Sequence, residues 1–282
     1  LIAAPLYEPE QLDIHLSPHA LQVVHAALAR LGGVPVVDYH CHLAGTGRGD
    51  SGCCVYPTAL APRRFSVSDR IDFVKMRVFM SAFGISPDKE DIQAAVRLAR
   101  LAQLAGALVR SSSAAPGGAA VDEGLPAKCS VTDAFAPCVA PYGYRCLLLP
   151  FDGVHDPVSG APDGSRTVMS VPNDYARRLA TERPDVFVAA CSVNPYRSDA
   201  VSELERCHAN GARVCKWLPN SMHIDPSDER CDCFYVACAR LGVTILCHAG
   251  DETSVALLAT GTCDQRLGNP MLLRRALDFG VK

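Results

Sequence analysis

The stretch VVDYHCHLAG (residues 36–45) ends an apolar run with two histidines that flank a cysteine. Side chains alternate between the two faces of a β-strand, so a strand here predicts that Asp38, His40 and His42 point to the same side. Two imidazoles a few ångströms apart bind a divalent metal readily. An outer carboxylate such as Asp38 can hold one ring through its second nitrogen. The alternative is a pair of loop histidines without a ligand.

Downstream, the chain repeats a capped helix, a closing glycine and a short β-branched run. Strands are predicted to begin near residues 34, 145, 186, 213 and 243, with a sixth at 281. Near-continuous apolar runs are typical of parallel strands buried on both faces. A spacing of about 30 residues per unit favours an α/β fold of the (β/α)8 TIM-barrel type. A doubly wound sheet has a similar rhythm, but no glycine-rich phosphate turn follows the first strand.

The predicted organisation is an N-terminal helical segment (1–33) and a barrel (34–282) with a helical insertion (45–143) after the first strand. The insertion contains two helical patterns, SVSDRIDFVKMRVFMSAFG and DKEDIQAAVRLARLAQLAG, and is expected to form a cap beside the barrel mouth. Five strands and the start of a sixth fit in 282 residues. We therefore expect an incomplete barrel, and a sequence that is a fragment of a longer protein.

Composition argues against several classes of partner. Hydrophobic residues make up 49% of the chain, charged residues 20%, and the formal net charge is -3, so nothing indicates a nucleic-acid partner. No apolar run approaches the roughly 18–20 residues that span a bilayer. We expect no contact with nucleic acid or membrane, and self-association into a homo-oligomer stays open.

The chain has 14 cysteines. Several of them interrupt apolar runs, where a thiol packs as a small hydrophobic group; these are Cys146, Cys191, Cys215 and Cys247. A reducing, cytoplasmic compartment is therefore the expectation, rather than a disulfide framework.

Lys216 follows an apolar strand in VCKWLPN, beside the single tryptophan. Burying an ammonium is costly unless it is paired or neutralised. Three roles fit Lys216: a carbamylated bridge between two metals, an ammonium that orients substrate, or a rim lysine with its tip in water.

His248 closes the strand in VTILCHAGDE, where it could bind a metal, act in catalysis or hydrogen-bond in the core. Asp251 and Glu252 follow; they could touch metal or substrate, although capping the next helix is the simpler role.

Polar side chains also follow the strand in CSVNPYR. Asn194, Tyr196 and Arg197 are candidates for substrate binding, and the alternative is that they only shape the loop. Asp152 stands at another strand end, in LLLPFDG.

The order VVDYHCH, strand-end Lys216 and strand-end His248 resembles the amidohydrolase superfamily of metal-dependent barrels. GARVCKWLPNSMHIDP and LGNPMLLRRALDFGVK look like the amidohydrolase-related branch that includes the aminocarboxymuconate semialdehyde decarboxylases. By this resemblance the metal ligands are His40, His42 and His248, and Lys216 takes the position of a carbamylated bridging lysine. The family's further histidine after the sixth strand and its aspartate after the eighth are not within these residues.

The resemblance implies a hydrolase that uses one or two divalent ions, with Zn²⁺ favoured, to activate water against an amide, ester or lactone of a small-molecule substrate. Lys216 and Asp38 are the predicted catalytic side chains. Two alternatives stay open: a metal-dependent non-oxidative decarboxylase on the same barrel, and a non-catalytic barrel fragment.

Overall fold

The computed structural model describes residues 37–43, 51–55, 145–252 and 263–282, together with 17–19, 22, 23, 26 and 30. The strands of this part of the chain are β1 (Val37–His42), β2 (Cys54–Val55), β3 (Arg145–Leu149), β4 (Met169–Ser170), β5 (Phe187–Ala189), β6 (Val214–Trp217) and β7 (Thr244–Cys247). Its α-helices are α1 (Asn173–Glu182), α2 (Ala200–Ala209), α3 (Pro219–Met222), α4 (Asp232–Leu241) and α5 (Arg274–Asp278). Short 3₁₀ turns span Glu229–Cys231, Gln265–Gly268 and Pro270–Leu273.

Five of the strands run parallel and neighbour one another in chain order. β1 pairs with β3 and β3 with β5, and β6 pairs with β7. Cys191 joins the two groups, because its N–H donates to the Val214 carbonyl at 2.8 Å and its carbonyl accepts from the Lys216 N–H at 2.7 Å. Sequential order is what a (β/α)8 barrel requires, whereas a doubly wound sheet reverses its order at a switch point.

The predicted strand positions are confirmed within a few residues. The predicted start of a sixth strand at residue 281 is not a strand in the structure, although the Ile245 N–H donates to the Lys282 carbonyl at 3.0 Å and holds Lys282 beside β7. Closure of a barrel is not shown by these strands themselves. The predicted helices of the insertion lie outside the described residues. Of the N-terminal segment, the described residues 18, 19, 22, 23, 26 and 30 are helical.

A short antiparallel ribbon of β2 and β4 was not predicted. Phe151 and Val171 extend it by a further antiparallel bridge, with hydrogen bonds of 2.7 and 3.0 Å. Strands of two residues carry too few side chains to show alternation, so only the tertiary contact reveals them.

Two of the α-helices begin or end at the residue types that favour helix ends. Pro172 precedes α1, and Gly242 ends α4 in the left-handed conformation (φ 67°), which glycine adopts without a Cβ clash. Two helices are preceded by 3₁₀ turns: Glu229–Cys231, where the Asp228 side chain accepts from the Arg230 N–H, comes before α4, and Pro270–Leu273 comes before α5.

Most of the parallel sheet is buried on both faces, although Val37 and Tyr39 of β1 are exposed. One face packs with the helices and contains Cys146, Leu148, Cys191, Cys215 and Trp217. The other carries a smaller apolar cluster of Leu147, Leu149 and Ala190, with Val188, Val214 and Leu246 packed against it. The cysteines of the described residues are free thiols. Cys146, Cys191 and Cys215 are buried as small apolar groups, as predicted, whereas Cys247 is only partly buried.

Candidate functional site

The predicted metal-site residues His42, Lys216 and His248 lie near one another, towards the carboxyl ends of β1, β6 and β7. His42 is paired with Leu149, and Lys216 alternates with Cys215 and Trp217 along β6, so both lie on the face of the smaller apolar cluster. His248 directly follows β7, and its N–H donates to the Trp217 carbonyl at 2.9 Å. The sheet therefore brings residues some 200 positions apart in sequence to one end, as expected for parallel strands.

The imidazoles of His40 and His42 face each other. Their Nε2 atoms are 2.9 Å apart, and the rings are tilted by 63° with centroids 4.8 Å apart. Two ligands held about 2.0–2.1 Å from one ion at roughly a right angle are also separated by about 2.9 Å. The spacing thus suits either a hydrogen bond between the rings or a shared cation.

Both imidazoles are held neutral. Burial lowers the pKa of His42 to about 3, and the positive charges of Lys216, His40 and His248 add to this effect. Burial and the Lys216 charge also lower the pKa of His40, although Asp38 opposes them. A metal binds the unprotonated imidazole, so these shifts keep the two rings in the ligand form.

Asp38 does not follow the predicted alternation. Asp38 pairs with Cys146 of β3 and Cys41 pairs with Leu148, so β1 has one more residue than β3 between the two pairs. This extra residue marks a β-bulge. The Asp38 Oδ1 atom accepts a hydrogen bond from the main-chain N–H of His40 at 2.8 Å. The expectation that Asp38 shares one strand face with both histidines is therefore wrong, because the bulge interrupts the alternation.

Lys216 is 1% exposed. Burial lowers the pKa of its ammonium, against the raising effects of the Cys247 thiol and the Glu252 carboxylate. The role of a rim lysine with its tip in water is thus contradicted, and the two functional roles of Lys216 stay open.

His248 has an unusual environment. Its Nε2 atom is buried and has no hydrogen-bond partner within the described residues. The Oε2 atom of Glu252 lies 3.8 Å from it, too far for a hydrogen bond. A buried nitrogen without a partner is costly in a folded protein, so the local chemistry fits a missing ligand such as a cation.

The imidazoles form two separate pairings, His40 with His42 and His248 with Glu252. In the ranges 37–43, 51–55, 145–252 and 263–282, no three His, Cys, Asp or Glu side chains are close enough to hold one ion. The donor types and the unpartnered Nε2 of His248 fit a divalent metal, but binding would require these side chains to converge.

Asn194 and Tyr196 are occupied by protein contacts. The Asn194 amide donates to the carbonyls of Gly153 (3.0 Å) and Met222 (2.9 Å) and accepts from the Tyr196 N–H. The Tyr196 hydroxyl donates to the Asp228 carboxylate at 3.1 Å. These contacts join neighbouring strand-end loops and favour loop shaping, while substrate binding stays a prediction.

Arg197 makes two ion pairs, to Asp199 at 2.8 Å and to Asp152 at 3.3 Å. The Asp152 carboxylate also accepts from the Asn194 N–H at 2.8 Å. Arg197 therefore braces the loops after β3 and β5, and any substrate contact would compete with these pairs.

One residue near the site was missed entirely. The Gln265 side chain accepts from the Glu252 N–H at 2.8 Å and donates to the Glu252 carbonyl at 2.9 Å. No motif marks Gln265, and only the folded chain brings it to Glu252.

Of three comparisons with known proteins, one identifies a family. No helix of the described residues is long and apolar enough to cross a membrane. No curated protein and no solved structure shows significant similarity to the chain. The family model described as Amidohydrolase matches residues 37–278. That family has the TIM-barrel fold, and membership indicates an enzyme of hydrolytic or decarboxylating type. Because the match covers most of its length, the chain belongs to the amidohydrolase superfamily.

Proposed function

We propose that the chain is a metal-dependent hydrolase that cleaves an amide, ester or lactone bond of a small molecule. The main support is the pair of neutral imidazoles, His40 and His42, whose Nε2 atoms are 2.9 Å apart. They lie at the same strand ends as Lys216 and His248, and family membership limits the chemistry to hydrolysis or a related reaction.

The proposed ligands of the cation are His40, His42 and His248, with Zn²⁺ favoured because imidazole nitrogens suit it. A bound divalent ion lowers the pKa of its water towards 7 and polarises the substrate carbonyl. The contribution of the chain is to keep both β1 imidazoles unprotonated and to hold them on a bulged strand. Asp38 acts there as a positioning residue, because it bonds the His40 main chain.

Lys216 has two proposed roles that its burial supports equally. As an ammonium, it would hold the developing negative charge of the substrate oxygen in a site with little water, where electrostatic stabilisation is strong. As a carbamate, it would carry negative charge and add an oxygen ligand for one or two ions. Because burial lowers its pKa, the neutral amine needed for carbamylation is more accessible than in an ordinary lysine.

Metal analysis together with a panel of small esters, amides and lactones tests the proposal. The 282-residue chain should retain a divalent metal through gel filtration and hydrolyse at least one class. The His40→Ala/His42→Ala double variant should lose both the metal and the activity. His208→Ala, on helix α2 and outside the site, is the matched control and should keep both.

Three results would contradict the proposal or redirect it. An unchanged metal content in the double variant would exclude these histidines as ligands. Release of carbon dioxide from a carboxylic acid without any hydrolysis would assign a decarboxylase instead. Metal binding without hydrolysis and without release of carbon dioxide would favour a non-catalytic role.

The proposed partner is a small molecule, and sedimentation of the same sample tests for a homo-oligomer.

A further inference from the structure

The loop after β7 holds a carboxylate in an environment that is unusual for an acidic side chain. Glu252 is only 6% exposed. A buried carboxylate is costly unless it meets a positive charge or a metal. The ammonium of Lys216 interacts with it electrostatically, and the imidazole of His248 is its neighbour. Glu252 therefore faces the same strand ends as the predicted ligands.

The facing atoms of the His248–Glu252 pair are slightly farther apart than two ligands of one ion. His248 Nε2 and Glu252 Oε2 are 3.8 Å apart, and Nε2 is buried without a hydrogen-bond partner in the described residues. Two atoms bound to one ion at about 2.0–2.2 Å lie roughly 2.9–3.6 Å apart at ordinary angles. A shift of a few tenths of an ångström would thus let both atoms bind one cation.

The position of the Glu252 carboxylate also shows whether it could bind the metal directly or only support the His248 ring. An outer-shell carboxylate accepts a hydrogen bond from the ring nitrogen that does not bind the metal. Glu252 instead lies beside Nε2, the nitrogen that has no partner. If Nε2 binds a cation, a carboxylate at that nitrogen is placed to bind the same cation.

The main chain of Glu252 is fixed independently of its side chain. Gln265 holds the N–H and the carbonyl of Glu252 through two hydrogen bonds, of 2.8 and 2.9 Å. The same Gln265 oxygen accepts from the Asn220 amide at 3.0 Å. The loop is therefore held by contacts that an isosteric change of the Glu252 side chain leaves intact.

We propose that Glu252 is a metal ligand in this chain, and that its carboxylate binds the same divalent cation as the Nε2 atom of His248. The inference rests on the proposed metal-dependent function and extends it by one residue. A cation held there would lie near Lys216, and a ligand of negative charge would offset the repulsion between the ammonium and the metal.

Cobalt titration of the chelator-treated 282-residue chain tests the proposal, because the visible absorption of Co²⁺ reports its ligands without any need for turnover. Glu252→Gln should weaken Co²⁺ binding by more than about 100-fold, the upper range for loss of an outer-shell group, and should change the spectrum. Glu252→Asp keeps the charge on a shorter side chain, and its Co²⁺ affinity should fall between those of the unmodified chain and Glu252→Gln.

Asp251→Asn is the matched control, since it removes the neighbouring exposed carboxylate, and it should bind Co²⁺ as the unmodified chain does. Circular dichroism of each variant checks folding. If Glu252→Gln fails to fold, Glu252→Asp decides alone: an unchanged affinity and spectrum would overturn the proposal.

The failure of this inference is distinguishable from failure of the proposed function. If Glu252→Gln binds Co²⁺ with the affinity and spectrum of the unmodified chain, while the His40→Ala/His42→Ala variant does not bind it, Glu252 is not a ligand and the metal site stands. If the unmodified chain itself binds no Co²⁺, both the proposed function and this inference fall.

Discussion

The half-buried imidazole of His42 predicts an acid-sensitive stability in the metal-free chain. Its pKa falls from an ordinary 6.5 to about 3 in the folded protein, because of burial and of the charges of Lys216, His40 and His248. Between these two values the unfolded chain binds a proton that the folded chain does not. The free energy of unfolding therefore rises with pH through this window, and it decreases as the pH falls below 6.5.

The magnitude follows from the width of the window. Each unit of pH below the unfolded pKa lowers the free energy of unfolding by about 1.4 kcal/mol. Lowering the pH from about 7.5 to 5 should therefore remove about 2 kcal/mol of stability through His42 alone. The measurement is urea unfolding of chelator-treated protein at several pH values, for the unmodified chain and for His42→Asn. The unmodified chain should lose about 2 kcal/mol more than the variant over this range.

A histidine outside the site provides a control of opposite sign. The pKa of His155 is raised: burial alone would lower it, but the Asp152 carboxylate and the Gly160 carbonyl more than offset that effect. Its contribution to stability is thus present at low pH and lost as the pH rises through the folded pKa. His155→Asn should lower stability more at pH 5 than at pH 8. Equal pH slopes for the unmodified chain and His42→Asn would refute the account of a half-buried, neutral His42.

Two further substitutions test the packing that supports the site. Trp217→Phe removes the indole N–H that donates to the buried Val193 carbonyl at 2.8 Å. It should lower the free energy of unfolding by about 2–4 kcal/mol, because the carbonyl is left unpaired and side-chain volume is lost. A loss below about 1 kcal/mol in urea unfolding would show that the hydrogen bond contributes little. Gly268→Ala would place a Cβ against the Gly250 carbonyl oxygen, far inside van der Waals contact. It should therefore displace the loop after His248 and weaken metal binding, with little change in helix content by circular dichroism. Unaltered Co²⁺ affinity would contradict that coupling.

Local residue types were sufficient to predict the repeating units of the fold. Apolar runs located the parallel strands, and Pro172 and Gly242 marked helix ends, because capping and backbone sterics act over a few residues. The spacing of His40 and His42 was also sufficient to predict two converging imidazoles, since residues two apart on a strand share a face.

The bulge that separates Asp38 from this alternation could not be predicted, because it depends on the register with β3, about a hundred residues away. Nor could the position of Glu252, whose main chain is fixed by Gln265 and whose side chain faces His248 only after the loop folds back. The sequence by itself determined the strands, the helices and the candidate imidazoles, through interactions between near neighbours. Only the tertiary structure decided which carboxylate stands beside His248 and that Lys216 is buried, because both depend on contacts between segments that are distant along the chain.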